Sequence, residues 1–369
     1  MSSPVTTSRK TPIRFGIVGA GWRTEFFLRI ARALPDRFEV LGVVVRNAEK
    51  AAAFAKQWPV KTFPSVTALL KSTQPRFVVS SVSWDGNPGV VRELVESGMP
   101  VLSETPPAPD VAGLRALWEF VEKNKGRVQV AEQVHLRPHH QAQMAVARSG
   151  KLGTVSHVQT SVAHGYHGIS LLRRFLNVKA ENATVRAIAF THPVVQGAGR
   201  AGLPPAEKLV DSRQEFYLFD FIGRTALFDF AGEQYFHTIR NERLLVRGER
   251  GEIVTDQVHY LKDFRTPIRL DFLRHQVGAD GDLHDPHLKG IQCGESWVYS
   301  NPFAPARLMD DEIAIAHALE KMDAVAGGGP DFYSLAEGSQ DHYLYLVCRD
   351  ALKSGNPIQT ETQPWSERV

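Results

Sequence analysis

The chain has 369 residues, 43% of them hydrophobic and 22% charged, with a formal net charge of +3 at pH 7. The length predicts two domains rather than one, and the small net charge without a lysine or arginine block favours a small-molecule partner over nucleic acid or a membrane surface. The only cysteines, Cys293 and Cys348, lie in ordinary stretches, so we infer no disulfide framework, no thiolate metal site and a reducing compartment.

Residues 1–11 are rich in serine and threonine and lack the apolar core of a signal peptide. No apolar run approaches the roughly 18 residues that a membrane-spanning helix needs. We therefore expect a flexible tail at residues 1–11 and a cytoplasmic protein.

The first structural signal is a strand that runs into a glycine-rich turn. An apolar stretch at residues 15–18 breaks into Gly19-Ala20-Gly21 and then into a helical pattern. Gly19 permits a tight turn, and Gly21, which lacks a Cβ, lets a pyrophosphate approach the N–H groups at the start of the helix. The third glycine of the GxGxxG pattern is Thr24 here, which weakens the fingerprint. The predicted dinucleotide-binding residues of this turn are Gly19, Ala20, Gly21, Trp22 and Arg23.

A second buried strand is predicted at Phe38–Val45, and it ends where a dinucleotide-binding fold reads the ribose. A protein that selects NAD usually places Asp or Glu there, whereas this chain has Val45-Arg46-Asn47. Because an arginine can pair with a 2′-phosphate, Arg46 favours NADP over NAD. The alternative is that Arg46 is a solvated loop residue or stacks on adenine.

Strand and helix signals alternate as far as Gly150. This alternation predicts a doubly wound parallel Rossmann domain at residues 12–150, in an α/β fold. From residue 151 to 369, extended runs such as Tyr235–Ile239 follow one another without helices between them. Such strands pair antiparallel, so we expect an α+β substrate and oligomerisation domain with a large open, mainly antiparallel sheet.

Two later segments complete this second domain. Residues 261–308 contain several prolines and are predicted as an irregular insertion. Within it, Asp280–His287 matches no standard ligand spacing, so we predict a solvated loop or a substrate lid and no metal site. Two helices are predicted near the C-terminus, and one of them is expected to pack back on the first domain.

Several motifs resemble those of the Gfo/Idh/MocA oxidoreductases, whose members act mostly on sugars, cyclitols and related polyols with NAD(P). They occur in the order of that family and cover about the first half of the chain. They read GIVGAG at Gly16–Gly21, VRNAEKA at Val45–Ala51, ESGMPVLSETPPA at Glu96–Ala108, AEQVHLRP at Ala131–Pro138, SGKLGTV at Ser149–Val155 and HGYHGISLLRRFL at His164–Leu176. The resemblance implies binding of NADP or NAD, a carbohydrate-like substrate, and a homodimer or homotetramer formed through the open sheet.

Two positions depart from the family pattern. Where the pattern reads Glu-Lys-Pro, this chain reads Glu104-Thr105-Pro106, and threonine can hydrogen-bond but carries no charge. The Asp that the family places four residues before a His is Ala163 here, while the His is kept as His167. Two of the usual three acid–base residues are therefore absent, which affects the expected chemistry more than the expected cofactor.

The remaining candidates for chemistry are His164, Tyr166 and His167, placed on a loop before a helix at Ile169–Leu176. Histidine titrates near neutrality, so we predict His167 as the main acid/base, with His164 or Tyr166 as an orienting group or substitute acid. Thr105 is a further catalytic candidate. The alternative is that His164 and Tyr166 cap the helix or pack at the domain interface. The residues predicted to meet the nicotinamide ribose or amide are Asn87, Glu104 and Gln133. The alternative is that these three are ordinary polar loop residues.

Three functions fit these residues. The first is an NAD(P)-dependent oxidoreductase acting on a sugar, polyol or sugar derivative. The second is an enzyme that keeps the cofactor but performs net non-redox chemistry, such as glycoside cleavage or epimerisation through transient oxidation. The third is an NAD(P)-binding regulator without turnover. The missing lysine and aspartate favour the last two functions relative to an average family member, whereas the retained His164, Tyr166 and His167 indicate that some catalytic site persists. The first function stays the preferred interpretation.

Overall fold

The computed structural model describes residues 11–278 and 282–369. Residues 1–10 of the expected tail and residues 279–281 of the expected loop lie outside the described residues. The chain divides into two compact units after Gln133, earlier than the expected boundary at residue 150. The first unit holds the described residues up to Gln133, those of Gly278–His287, and Pro302–Leu335; the second holds Val134–Val277, Leu288–Asn301 and Ala336–Val369.

The first unit is built on a six-stranded parallel sheet with the order β3-β2-β1-β4-β5-β6. Its strands are β1 (Ile13–Val18), β2 (Phe38–Val44), β3 (Thr62–Phe63), β4 (Phe77–Ser80), β5 (Val101–Ser103) and β6 (Val128–Val130). Its helices are α1 (Thr24–Ala33), α2 (Ala48–Gln57), α3 (Val66–Ser72), α4 (Asn87–Glu96), α5 (Val111–Lys123) and, from late in the chain, α8 (Asp310–Ala326). The strand order reverses between β1 and β4, and ligands of doubly wound sheets bind outside such a point.

Local sequence explains these elements. Phe15 and Phe77 are fully buried on adjacent strands, with stacked rings whose centroids are 5.5 Å apart, as expected for strands covered on both faces. The side chains of Asn47, Ser65 and Asp110 accept hydrogen bonds from backbone N–H groups in the first turns of α2, α3 and α5. These caps satisfy N–H groups that have no partner within the helix.

Helix α8 is part of the first unit although it follows the second unit's strands in the chain. The guanidinium of Arg29 on α1 lies 2.6 Å from the carboxylate of Glu312, and that of Arg76 lies 2.8 Å from Asp323. Both carboxylates are almost fully buried on α8. The ion pairs therefore fix α8 to helix α1 and to the start of strand β4.

The second unit contains an eleven-stranded sheet with the order β16-β15-β14-β13-β12-β11-β7-β10-β9-β8-β17. Its strands are β7 (Val155–Ser161), β8 (Ala183–Val195), β9 (Leu209–Phe221), β10 (Arg224–Phe230), β11 (Arg243–Gly248), β12 (Gly251–Val254), β13 (Gln257–Asp263), β14 (Thr266–Val277), β15 (His287–Cys293), β16 (Ser296–Ser300) and β17 (Ile358–Gln359). Strands β7 and β10 are parallel, whereas pairs such as β8–β9 and β13–β14 are antiparallel. Its helices are α6 (Pro138–Arg148), α7 (Gly165–Leu176) and α9 (Leu335–Ser354).

The predicted fold class is confirmed: a doubly wound parallel sheet is followed by a large, mainly antiparallel one. The prediction of an irregular insertion at residues 261–308 is wrong, because strands β14, β15 and β16 occupy much of it. Pro267 is the second residue of β14 and Pro286 directly precedes β15. Proline is tolerated near strand ends, where no ladder hydrogen bond is lost, so these prolines mark boundaries of strands.

The predicted strand at Tyr235–Ile239 is also wrong. Residues Gly232–Tyr235 form a 3₁₀ helix, and the chain after it turns. The side-chain oxygen of Gln234 accepts a 2.9 Å hydrogen bond from the N–H of Ala231, which closes this turn.

Within the described residues, no helix combines the length and the apolar character that crossing a bilayer requires.

Candidate functional site

The two glycines of the turn after β1 differ in whether the backbone itself requires glycine. Gly19 has φ +110°, and a Cβ built on it would lie 2.0 Å from the carbonyl oxygen of Ser81, so the backbone itself requires glycine there. Gly21 has no such φ, and a Cβ on it would meet no atom of the described residues within 4 Å, apart from its own chain neighbours. The fold therefore does not need glycine at position 21, and the open space beside it suits a ligand that approaches the backbone closely.

Thr24 takes the place of the third glycine without opening the turn. It is fully buried at the start of α1. Its Oγ1 lies 3.0 Å from the carbonyl oxygen of Gly19 and 3.2 Å from Oγ of Ser81. The hydroxyl thus fastens the glycine turn to the end of β4.

The predicted cofactor residues share one edge of the parallel sheet. Backbone hydrogen bonds continue past the carboxyl ends of the strands, at 2.8–2.9 Å. In each, a backbone N–H donates to the carbonyl oxygen of a residue on or beside the neighbouring strand: Ser81 to Val18, Glu104 to Ser80, and Ala131 to Ser103. The segments after β1, β4, β5 and β6 are therefore held side by side. This edge brings together the glycine turn, Glu104 and Gln133, and it is where a doubly wound sheet binds its ligand.

Asn87 stabilises this edge through buried side-chain hydrogen bonds. It is 1% exposed, accepts a 2.6 Å hydrogen bond from Ser80 and donates to Ser103 at 2.8 Å. Its amide nitrogen also lies 3.2–3.3 Å from the carbonyl oxygens of residues 104, 106 and 107. Because its amide is committed to this network, Asn87 shapes the loop that carries Glu104; direct contact with a nucleotide stays a prediction.

Arg23 and Glu104 form an ion pair across the edge. The Nε of Arg23 lies 3.0 Å from Oε1 of Glu104, and both side chains are 12% exposed. The guanidinium also lies over the ring of Phe26, 5.3 Å from its centroid, and 5.9 Å from that of Trp22. Trp22 itself is 54% exposed. The pair links α1 to the Glu104-Thr105-Pro106 segment, in which the Thr105–Pro106 peptide is cis.

Gln133 carries an unsatisfied acceptor at the same edge. The residue is 6% exposed, and its Oε1 is buried without a hydrogen-bond partner among the described residues. A buried amide oxygen left unpaired costs about 1–3 kcal/mol. An incoming N–H donor, such as a carboxamide, would remove that cost.

Arg46 lies after β2, as predicted, with its side chain 68% exposed. Its guanidinium nitrogen lies 3.3 Å from a carboxylate oxygen of Glu93 on α4. A 2′-phosphate at this position would pair with the guanidinium of Arg46 but would be repelled by the carboxylate of Glu93. Sequence reasoning missed this neighbour, because Glu93 lies on α4, 47 positions further along the chain.

In the second unit, His164, Tyr166, His167 and Tyr235 form a cluster that we call the His164 cluster. Helix α7 begins at Gly165 rather than at Ile169, so His164 is its N-cap and Tyr166 and His167 lie in its first turn, not on a loop. The ring of His167 lies 5.0 Å from that of His164 and 4.5 Å from that of Tyr166. Tyr166 is 4% and His167 is 8% exposed, whereas His164 is only half-buried.

His164 is neutral across the physiological range. Burial, helped by the charge of nearby His167, lowers the pKa of His164 from 6.5 to about 3. The hydroxyl of Tyr235 accepts a 3.0 Å hydrogen bond from the backbone N–H of His164 and is also hydrogen-bonded to Nδ1 of its ring. Tyr235 was missed from the sequence because its segment was interpreted as a strand and no motif contains it.

The helix that carries these residues is anchored by a buried arginine. Arg173 on α7 is 2% exposed and lies 2.6 Å from Asp341 and 3.1 Å from Glu337, both on α9. It also donates to the carbonyl oxygen of Lys179. This network fixes α7 within the second unit.

Other regions offer less chemistry. In the part of the chain that the structure describes, no three His, Cys, Asp or Glu side chains gather as metal ligands would. A cavity of about 590 Å³ opens on strands β11–β14, and its lining, which includes Arg247, His259 and Arg269, contains none of the predicted site residues.

The glycine turn and the sheet edge beside it define a dinucleotide-binding Rossmann fold, and comparison with known proteins agrees. Residues 13–132 match the model of the Gfo/Idh/MocA oxidoreductase family, described as having an NAD-binding Rossmann fold. This match, over about a third of the chain, confirms the resemblance inferred from the motifs.

The individual proteins that resemble this chain have low sequence identity to it, between 14% and 26%. The uncharacterized protein YMR315W of Saccharomyces cerevisiae is 26% identical over 126 residues, a match that spans 33% of this chain and only 36% of that protein. An oxidoreductase from Agrobacterium radiobacter, solved with NAD⁺, L-tartaric acid and magnesium, superimposes with a TM-score of 0.66 at 14% identity, covering 94% of this chain and 98% of that one. Levoglucosan dehydrogenase, solved with NADH and levoglucosan, gives 0.68 at 14% identity, covering 95% and 99%. These structures show that the shared fold extends over both units.

Proposed function

We propose that the protein is an NAD(P)-dependent oxidoreductase that oxidises a hydroxyl group of a sugar, polyol or sugar derivative, or reduces the corresponding carbonyl. The observation that carries the proposal is the open space at Gly21, beside a turn that Gly19 and Thr24 hold in place. The dehydrogenase solved with NADH and levoglucosan supports a carbohydrate-like substrate.

The residues of the sheet edge fit a dinucleotide. Backbone N–H groups of the glycine turn, with Trp22 and Arg23, would hold the pyrophosphate region. The unpaired Oε1 of Gln133 would accept from a carboxamide, and Glu104, positioned by Arg23, would take ribose hydroxyls. When bound, the nicotinamide ring supplies a carbon that accepts or gives hydride.

Proton transfer is assigned to His167. A neutral imidazole can take the proton of a substrate hydroxyl and return it in the reverse direction. Tyr166 packs against the His167 ring and orients it, and Thr105 would donate a hydrogen bond to the substrate. No lysine or aspartate stands at Thr105 or Ala163 to share this task, so the main share of proton transfer falls on His167.

The test is nicotinamide absorbance across a panel of sugars, lactones and glycosides, with wild-type protein and the His167→Ala variant. General-base catalysis is worth about 10²–10⁴ in rate, so His167→Ala should lose at least that factor while dinucleotide affinity stays near wild type. Full activity of His167→Ala would reject the assignment.

The preferred cofactor is NADP, on the strength of Arg46. Its guanidinium would pair with a 2′-phosphate once it leaves Glu93. Glu93→Gln should therefore tighten NADP binding without changing NAD binding. Replacing Val45 by Asp and Arg46 by Ala should reverse the order of affinities, and tighter binding of NAD than NADP by wild type would contradict the Arg46 argument.

A second candidate is net non-redox chemistry with a retained cofactor, favoured by the residues at Thr105 and Ala163. Glycoside cleavage without accumulation of NAD(P)H in the same panel would select it, and cofactor binding without any turnover would select a regulator. A homodimer or homotetramer and a cytoplasmic location stay predictions.

A further inference from the structure

We propose that the cavity on strands β11–β14 binds a small molecule that carries a phosphate monoester on an apolar or aromatic body. The cavity has a volume of about 590 Å³, within the range of about 300–1,000 Å³ that is usual for small-molecule sites. All of its lining residues belong to the second unit, and none is a predicted cofactor or catalytic residue. A ligand here is therefore additional to the proposed function, and its binding does not depend on it.

A row of charged and polar side chains crosses this cavity. The register of the antiparallel strands places four residues in direct opposition, in the order Arg247, Glu252, His259 and Arg269. Directly opposed residues lie on the same face of a sheet, with Cβ atoms about 4.5–5.5 Å apart. Two guanidinium groups therefore stand on one face, with a carboxylate and an imidazole between them.

The turn between β11 and β12 adds a third guanidinium, that of Arg250. Its Nη2 donates to the carbonyl oxygen of Leu261 at 3.0 Å, and its own carbonyl oxygen accepts from the N–H of Leu261 at 2.8 Å. The Nε of Arg247 is held likewise, 2.8 Å from Oε2 of Glu252. A guanidinium has five N–H donors, and these are the hydrogen bonds that the two guanidinium groups form with described residues. Both groups are therefore fixed in place, with most of their donors available to a ligand.

The charges of the lining favour a doubly charged anion. The side chain of Arg269 forms no hydrogen bond or ion pair with another residue of 11–278 or 282–369. Among the described lining residues, Glu252 is the one carboxylate beside three arginines. A phosphate monoester carries a charge of about −1.5 to −2 at pH 7, and a guanidinium pairs with phosphate through two parallel hydrogen bonds. A carboxylate would meet less of this positive charge.

The rest of the lining suits the body of such a molecule. Tyr260, Leu261, Pro267 and Ile268 contribute apolar and aromatic surface, against which a ring or an aliphatic chain can pack. Nε2 of His259 is buried and has no hydrogen-bond partner among the described residues. Because an unpaired buried polar atom is unfavourable, a ligand that pairs with this ring would complete the row.

A second copy of the chain is the competing occupant, because the family resemblance predicts oligomers formed through the open sheet. A two-fold contact centred on the cavity would bring the same residues of both copies together. Three arginines would then face three arginines, and like charges opposed across an interface weaken it. The charge of the lining therefore favours a small anion over a second copy.

The direct test is isothermal titration calorimetry of the full-length protein with three probes. Phenyl phosphate has the dianion and the ring, inorganic phosphate lacks the ring, and benzoate lacks the second charge. We expect phenyl phosphate to bind with a Kd below about 1 mM and the other two at least about tenfold more weakly. Benzoate binding as tightly as phenyl phosphate would overturn the phosphate assignment, and no binding of phenyl phosphate at about 10 mM would overturn the site.

Two arginine variants locate the binding. Arg247→Gln and Arg269→Gln should each weaken the binding of phenyl phosphate by about tenfold or more. Arg213→Gln, on β9 of the same unit, is the matched control, because its side chain is 58% exposed against 56% for Arg247 and each arginine pairs with a glutamate. Equal losses in all three variants would overturn the site. A loss in Gly21→Val, with none in Arg247→Gln, would place the probe at the glycine turn and would also overturn it.

Glu252→Gln should change the affinity in the opposite direction. Glutamine keeps a side-chain oxygen for Nε of Arg247 and removes the negative charge, so we expect phenyl phosphate to bind about three- to tenfold more tightly. A gain of affinity cannot result from partial unfolding, whereas a loss in the folded variant would overturn the role of charge. Light scattering reports on the competing occupant: a change of mass in Arg269→Gln, together with no binding of phenyl phosphate to wild type, would assign the face to a second copy and overturn the proposal.

Discussion

Replacing Gly21 by alanine or valine separates the needs of the ligand from those of the fold. Among residues 11–278 and 282–369, only the chain neighbours of Gly21 lie within 4 Å of a Cβ built on it, and its φ is outside the left-handed region. Alanine at such a site stabilises a protein by about 0.4–1 kcal/mol, through lower entropy of the unfolded chain. The melting temperature of Gly21→Ala should therefore equal or exceed that of wild type.

Dinucleotide binding should change in the opposite direction. A methyl group at position 21 occupies space that the pyrophosphate needs, and a valine occupies more. We expect Gly21→Ala to lose at least about tenfold and Gly21→Val about a hundredfold in affinity, equivalent to about 1.4 and 2.7 kcal/mol. Isothermal titration calorimetry with NAD⁺ and NADP⁺ measures both values. Unchanged affinity in a folded Gly21→Val protein would refute the cofactor site.

Gly19→Ala is the matched contrast. Its Cβ would lie 2.0 Å from the carbonyl oxygen of Ser81, at φ +110°. The strained backbone alone costs about 1–3 kcal/mol, and the end of β4 must also move. The melting temperature should therefore fall before any ligand is added. A Gly19→Ala protein as stable as Gly21→Ala would show that the turn differs from the one described.

Three further predictions concern other buried groups. Burial, with Lys321 and Arg37 nearby, lowers the pKa of His317 from 6.5 to about 4. Between these pH values the unfolded chain binds a proton at His317 and the folded chain does not, so the free energy of unfolding should fall as pH drops from 6.5 towards 4. In urea denaturation, His317→Gln should reduce that pH dependence. Asp341→Asn breaks the buried pair with Arg173 and should cost about 3 kcal/mol in urea denaturation, more than Glu337→Gln, whose side chain is 27% exposed; equal costs would contradict the assignment. Gln133→Leu removes the unpaired oxygen, so stability should hold while NAD(P) affinity falls about tenfold in calorimetry; a loss of stability alone would make Gln133 a structural residue.

Local patterns were enough to predict most of the parallel sheet of the first unit. The strand, the glycine turn and the helix that begins at Thr24 are adjacent in the chain, and each strand of a parallel sheet reads as its own apolar run. The motifs around Glu104 and His167 were found for the same reason. Periodicity was less reliable in the second unit, because prolines at strand ends look the same in sequence as prolines of an irregular segment.

Contacts between distant residues could not be predicted. The hydrogen bond between Tyr235 and His164 joins a 3₁₀ helix to a helix N-terminus 71 positions away, and neither segment signals the other. The pairing of Arg46 with Glu93 and the bond from Thr24 to Ser81 are of the same kind. Sequence alone therefore indicated candidate residues for the chemistry, but not how their side chains are oriented or which groups they face.

The position of helix α8 has a consequence for biosynthesis. Its carboxylates complete ion pairs with Arg29 and Arg76, so the first unit is unfinished until the ribosome has added residues 310–326. N-terminal domains commonly fold first during synthesis, but here the side of α1 that pairs with α8 stays uncovered until α8 has been made. A fragment that stops at the end of the family match would keep the glycine turn and lose this cover, which makes it a poor substitute for the full chain in any binding assay.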